Sequence, residues 1–86
     1  MVSEEITIRS KTGLHARPAS QLVSLVKKFK SEVTLVHQNK KAKGTSIISI
    51  LALGLRFESE LEVFIDGEDE TDALKAITGF FNELED

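Results

Sequence analysis

Between Glu4 and Arg9 apolar and polar positions alternate, with Ile6 and Ile8 on one side and Glu5, Thr7 and Arg9 on the other, which predicts a half-buried strand. Lys11-Thr12-Gly13 interrupts it. From Ala16 the period lengthens: Ala19, Leu22, Val23 and Val26 keep helical spacing and Phe29 continues it, so an amphipathic helix of about three turns is predicted. Alternation returns from Glu32 to His37, with Val33 and Leu35 facing in. Gln38-Asn39-Lys40 then reads as a hairpin turn in which Asn39 tolerates a positive φ, and Lys41 to Lys43 as the short return strand. The apolar run Ile47 to Leu53, entered through Thr45 or Ser46 as N-cap and stopped by Gly54, predicts a short helix. Glu60 to Asp66 alternates again, with Leu61, Val63 and Ile65 inward. After an Asp66-Gly67 turn, Leu74, Ile77, Phe81 and Leu84 mark one stripe of a last helix. Its first turn, rich in Glu68, Asp69, Glu70 and Asp72, suits the positive end of a helix dipole.

The order is therefore β-α-β-β-α-β-α, and every strand reads as buried on one face only. Such strands are satisfied by a mostly antiparallel sheet with helices packed on one side, an α+β fold. The chain of 86 residues makes one domain, residues 1–86, with no linker, repeat or low-complexity segment.

Composition narrows the function. With no cysteine, thiolate metal sites and disulfides are excluded, and His15 and His37 are the available nitrogen ligands, so neither a metal nor another cofactor is expected. A net charge of −3 argues against a nucleic-acid binder, which needs a basic surplus to neutralise phosphates. "MVSEEITIRS" carries two glutamates where a secretory signal needs a basic and then an apolar stretch, and "IISILALGL" is too short to span a bilayer. A cytoplasmic monomer with no direct membrane insertion is the expectation. Charge is uneven along the chain: Lys27, Lys28, Lys30, Lys40, Lys41 and Lys43 form a basic middle, and Glu58 to Asp72 and the C-terminus are acidic.

The densest candidate chemistry lies in "TGLHARPAS", Thr12 to Ser20. If the helix starts near Ala16, His15 is its N-cap and the ring lies beside amides that have no helical partner. Pro18 fits this placement, because a proline in the first turn lacks a donor that would be unpaired anyway. The dipole disfavours a charged imidazole and so favours the neutral, nucleophilic ring. The same amides, with Arg17, hold an arriving anion. Together these suit phosphoryl transfer to a ring nitrogen, where catalysis is mainly positioning and charge stabilisation. A histidine at a helix start is by itself more often a plain cap or surface residue.

"TGLHARPAS" resembles the active-site signature of HPr, the histidine-containing phosphocarrier family of the phosphoenolpyruvate-dependent sugar phosphotransferase system. "TSIISILALG" resembles that family's segment around a regulatory serine, and "GEDETDALKAI" the start of its last helix. The resemblance implies an open-faced β-sandwich, a four-stranded antiparallel sheet covered on one side by three helices, in agreement with the order read above. It implies that His15 accepts phosphate on Nδ1 from phosphorylated enzyme I and donates it to IIA domains of sugar permeases. Arg17 then steadies the phosphoryl group, the Ala16 and Arg17 amides donate to it, and Thr12, Gly13 and Pro18 shape the loop. The family is a carrier rather than an enzyme, its partners supplying the rest of each transfer site.

Ser46 read alone is an N-cap; the resemblance adds phosphorylation by HPr kinase/phosphorylase and action as a corepressor with a catabolite-control transcription regulator. The segment departs from the commoner "KSIMG" form at Thr45, Ile48 and Ser49. Ile50 and Leu53 read as core, whereas Ile47, Ile48 and Leu51 leave an apolar patch of the kind that marks a partner site. By resemblance Ser20, Ser24 and Lys27 join it, with Ser24 where many relatives carry a basic residue. Phe57-Glu58 stands where the family usually has a basic residue and glycine, so a positive φ there would strain Glu58. His37 reads as a strand or turn residue without chemistry. Two other readings stay open: a regulatory module acting through Ser46, disfavoured because purely regulatory relatives lack the histidine, and a nitrogen-related phosphorelay.

Overall fold

The computed structural model describes residues 1–84; Glu85 and Asp86, part of the acidic C-terminal stretch, lie outside the described residues. The elements run β1 (Val2–Thr7), α1 (Ala16–Val26), β2 (Glu32–His37), β3 (Lys40–Lys43), α2 (Ile47–Ala52), β4 (Glu60–Asp66) and α3 (Glu70–Glu83), in the order expected. The strands form one antiparallel sheet in the order β1-β4-β2-β3. The long connections through α1 and α2 thus place sequence-distant strands side by side, with β1 and β3 at the edges.

Register explains the single covered face. Directly paired residues share a side of the sheet, and Ile6 opposite Leu61, Leu35 opposite both Val63 and Ala42, and Val33 opposite Ile65 are all buried. The helices close over them with Leu22 and Val26 from α1, Ile50 from α2, and Ala73, Ile77 and Phe81 from α3. The outer face keeps Glu5, Thr34, Lys41 and Glu62.

The boundaries of several elements differ from the sequence expectation. β1 begins at Val2 and ends at Thr7 rather than running from Glu4 to Arg9, although Ile8 stays bonded through its amide to Ser59 O and its carbonyl to the Glu58 amide, both at 2.8 Å. β3 starts one residue early, at Lys40, because the turn needs only Gln38 and Asn39, both at positive φ (49° and 69°). That is the hand of turn that matches strand twist in a two-residue hairpin. In the last helix Ala73, rather than Leu74, joins Ile77 and Phe81 in full burial.

Glu68 and Asp69 precede α3 instead of filling its first turn. Asp69 is the N-cap residue yet makes no cap bond with its side chain. Its carboxylate reaches across to the α1–β2 connection and accepts from the Lys30 amide (2.8 Å), the Ser31 amide (2.9 Å) and the Ser31 hydroxyl (2.5 Å). Chiefly the Ser31 hydroxyl, then the Lys30 amide, holds the Asp69 carboxyl below its ordinary value of 3.8. A folded-state value below the unfolded one stabilises above the unfolded value and is lost as pH falls through the folded one. Asp69→Asn is therefore expected to unfold at a lower temperature at pH 7 and to show a smaller loss of stability between pH 5 and pH 2 than the parent chain. Thermal unfolding followed by circular dichroism across that range checks both.

Candidate functional site

The chain reaches α1 through a loop fastened at two points. The Gly13 amide donates to Ser10 O at 3.0 Å, and the Leu14 amide to Leu55 O at 3.1 Å, tying the loop to the connection between α2 and β4. Gly13 sits at φ +73°, and a Cβ there would lie 2.5 Å from Leu55 O and 2.9 Å from Arg56 Cα. Only glycine meets both demands. Thr12 is exposed, and its hydroxyl lies 3.1 Å from that of buried Ser10.

His15 is the N-cap of α1, with extended backbone (φ −96°, ψ −168°) and no side-chain capping bond. Its imidazole is exposed. The first bond of the helix ladder runs from the Ala19 amide to His15 O at 3.0 Å, and Pro18 has no amide proton. The amides of Ala16 and Arg17 thus precede the ladder, at the positive end of the helix. Pro18 is buried, so its ring seats this turn on the core while Ala16 and Arg17 face solvent.

A shallow depression of about 260 Å³ is lined by Thr12, His15, Arg17 and Pro18 together with Ser10, Gln21 and Leu84. The histidine, arginine and proline expected from the sequence thus meet at one place. Ser10, Gln21 and Leu84 were not foreseen. Gln21 had a readable signal, lying one turn beyond Arg17; Leu84, at the end of α3, had none, since only the packing of α3 beside α1 brings it here. Chemically, an imidazole and the Arg17 side of the helix start line one small volume open to solvent, next to amides that precede the helix ladder, a set suited to taking up and releasing an anionic group.

Along α1, Ala16, Ser20, Ser24 and Lys27 are all exposed and lie on one strip at helical spacing. The neighbouring α2 is capped by Ser46, not Thr45: the Ser46 Oγ accepts from the Ser49 amide at 3.3 Å and donates to the Ser49 Oγ at 3.0 Å. Ile50 and Leu53 are buried, as the sequence implied, and Ile47 is half-buried against the core. Ile48 is 79% and Leu51 40% exposed, with Phe57 in the following turn at 48%. Of the apolar patch expected on α2, Ile48 and Leu51 are exposed, whereas Ile47 turns partly into the core. The next residue, Glu58, has φ 69°, a left-handed conformation that costs about 1–3 kcal/mol for a residue with a side chain.

A family model described as "PTS HPr component phosphorylation site" matches residues 2–83. The chain belongs to the HPr family. The multiphosphoryl transfer protein of Salmonella typhimurium strain LT2 is 40% identical over 80 residues, covering 90% of this chain but only 21% of that protein's length. HPr-C-His from Thermoanaerobacter tengcongensis superposes with a TM-score of 0.93 at 36% identity, covering 98% of this chain and 94% of that one. An HPr dimer from the same organism gives 0.76 at 36% identity, covering 95% and 94%. The HPr architecture implied by the sequence resemblance is thus the architecture found, from β1 to α3. Among the described residues no helix is long and apolar enough to cross a membrane.

Proposed function

We propose that the chain is a phosphoryl carrier of the sugar phosphotransferase system, in which His15 accepts a phosphoryl group on Nδ1 from phosphorylated enzyme I and passes it to IIA domains of sugar permeases. The observation that carries this reading is an exposed N-cap imidazole that makes no capping bond and stands beside two ladder-free amides and Arg17. Attack through Nδ1 uses the tautomer with its proton on Nε2. The Nδ1 lone pair forms the new N–P bond while the bond from phosphorus to the donor breaks. Negative charge on the three transferred oxygens is met by the Ala16 and Arg17 amides and the Arg17 guanidinium. The reverse sequence of bond changes hands the group on. The protein therefore acts as a relay whose partners complete each transfer site, working as a cytoplasmic monomer.

Partner docking is assigned to the strip Ser20, Ser24 and Lys27 on α1 and to half-buried Ile47 and exposed Ile48 and Leu51 on α2, since exposed apolar side chains such as the last two mark interaction sites. Ser46 is proposed as a modification site for an HPr kinase/phosphorylase, acting on carbon catabolite control through a transcription regulator. A phosphate there removes the hydroxyl proton now donated to Ser49 and sets a charge beside the apolar patch.

With phosphoenolpyruvate and enzyme I, the purified protein is expected to gain one acid-labile phosphate; no gain beside a competent enzyme I control overturns the carrier reading. Arg17→Ala should slow that transfer by about 100-fold, the cost of one oxyanion donor, while leaving the unfolding midpoint near the parent value. An equal loss of stability would make the arginine structural. Incubation with HPr kinase and ATP should label Ser46, and an unlabelled product retires the regulatory assignment.

A further inference from the structure

A second depression, of about 320 Å³, lies beyond the β2–β3 turn and is lined by His37, Gln38, Lys40, Leu53, Gly54, Arg56 and Ser59. The net charge is −3, yet no carboxylate lines the depression, and two cations do. Neither Lys40 nor Arg56 forms an ion pair among the described residues. Lys40 is paired directly with His37 across the hairpin, so both project to the same side of the sheet. The Ser59 Oγ accepts from the Arg56 amide at 2.9 Å, which leaves the hydroxyl proton free to be donated.

His37 is the informative member. It is only 8% exposed, and its Nδ1 stands 2.7 Å from Glu60 O. A carbonyl oxygen can only accept, so Nδ1 carries a proton, and in the neutral form of the ring Nε2 is an acceptor. Among the described residues no hydrogen bond reaches Nε2. A buried ring pinned through one nitrogen, with an unpaired acceptor at the other, is placed among four donor side chains: Gln38, Lys40, Arg56 and Ser59. The donors suit an oxyanion, and the acceptor suits a hydroxyl proton.

We propose that this depression binds a small hydroxyl-bearing phosphate monoester, the phosphate held by Lys40, Arg56 and the Ser59 hydroxyl and a ligand hydroxyl donating to His37 Nε2. The volume is at the lower end of what small-molecule sites use, which fits a compact ester of sugar size rather than a nucleotide. The site stands apart from the His15 depression, sharing no lining residue with it, so it is independent of the carrier reading.

The test is a titration of 15N-labelled protein with glucose 6-phosphate, inorganic phosphate and glucose at constant ionic strength. Saturable amide shifts centred on Gln38, Asn39, Lys40, Gly54, Arg56 and Ser59 are expected with the ester. Inorganic phosphate should bind there about threefold more weakly, lacking the hydroxyl contact, and glucose should leave these amides unmoved. Lys40→Gln and Arg56→Gln, both exposed positions, should each weaken the ester by about tenfold without moving the unfolding midpoint. Shifts that fail to saturate, or that persist in the double variant, overturn the site. Equal affinity for ester and inorganic phosphate overturns the role given to His37.

Discussion

Gly13→Ala is expected to lower stability by about 3 kcal/mol and to leave the protein a poor phosphoryl acceptor even where it is still folded. Three effects add. A side chain in the left-handed region costs about 1–2 kcal/mol, and Gly13 sits at φ +73°. The new Cβ would stand 2.5 Å from Leu55 O and 2.9 Å from Arg56 Cα, and both are backbone atoms that no side-chain rotation can move aside. Relief by displacement breaks the bond from the Leu14 amide to Leu55 O, worth about 1 kcal/mol net. For a domain of this size each kcal/mol moves the midpoint by about 4–8 °C, so the expected fall is roughly 12–24 °C. A variant melting within a degree or two of the parent would mean that the loop does not depend on this contact. The functional loss follows from the same displacement, because His15 is carried by the loop that must move, and transfer tolerates little misplacement of the reacting atom.

His15→Ala has the opposite profile. No phosphate should be incorporated from phosphoenolpyruvate and enzyme I, while the unfolding free energy stays within about 0.5 kcal/mol of the parent, as for an exposed side chain. Replacing a serine or aspartate N-cap by alanine ordinarily costs about 0.5–2 kcal/mol because a capping bond is lost. His15 makes no such bond, and its ring is exposed. The residue holds the helix start by its backbone alone, and its side chain takes no part in the cap. Phosphate still entering the variant from enzyme I would place the acceptor elsewhere; a large fall in stability would make the ring structural.

The elements were legible wherever one side chain period dominates, as in β2, β4 and α1. The start of β1 was hidden because Glu4 shares a face with Ile6 yet lies exposed at the edge, opposite Val63, so the alternation looks broken. Gln38 gave no sign of its positive φ, since glutamine has no special preference for it. Asn39 beside it did. Asp69 was read as a helix-start acid by local rules, and nothing in its neighbours says that its partners are Lys30 and Ser31. The site divides in the same way. His15, Ala16, Arg17 and Pro18 are consecutive, so a single helix boundary determines their arrangement. Leu84 and Ser10 arrive from other elements, and the closeness of Gly13 to Leu55 belongs to tertiary structure alone. His37 illustrates a different limit: sequence places it correctly at the end of a strand but is silent on which ring nitrogen is engaged.

The seam between Gly13 and Leu55 also sets a clock on the life of each new molecule. The two residues are 42 positions apart, and at about 5–20 residues per second a ribosome takes roughly 2–8 s to pass from one to the other. During that interval the histidine has been made but the wall that fixes its loop has not, and β1 is still waiting for β4. A nascent chain therefore carries the His15 ring on an unshaped loop until Leu55, and then β4, have been made.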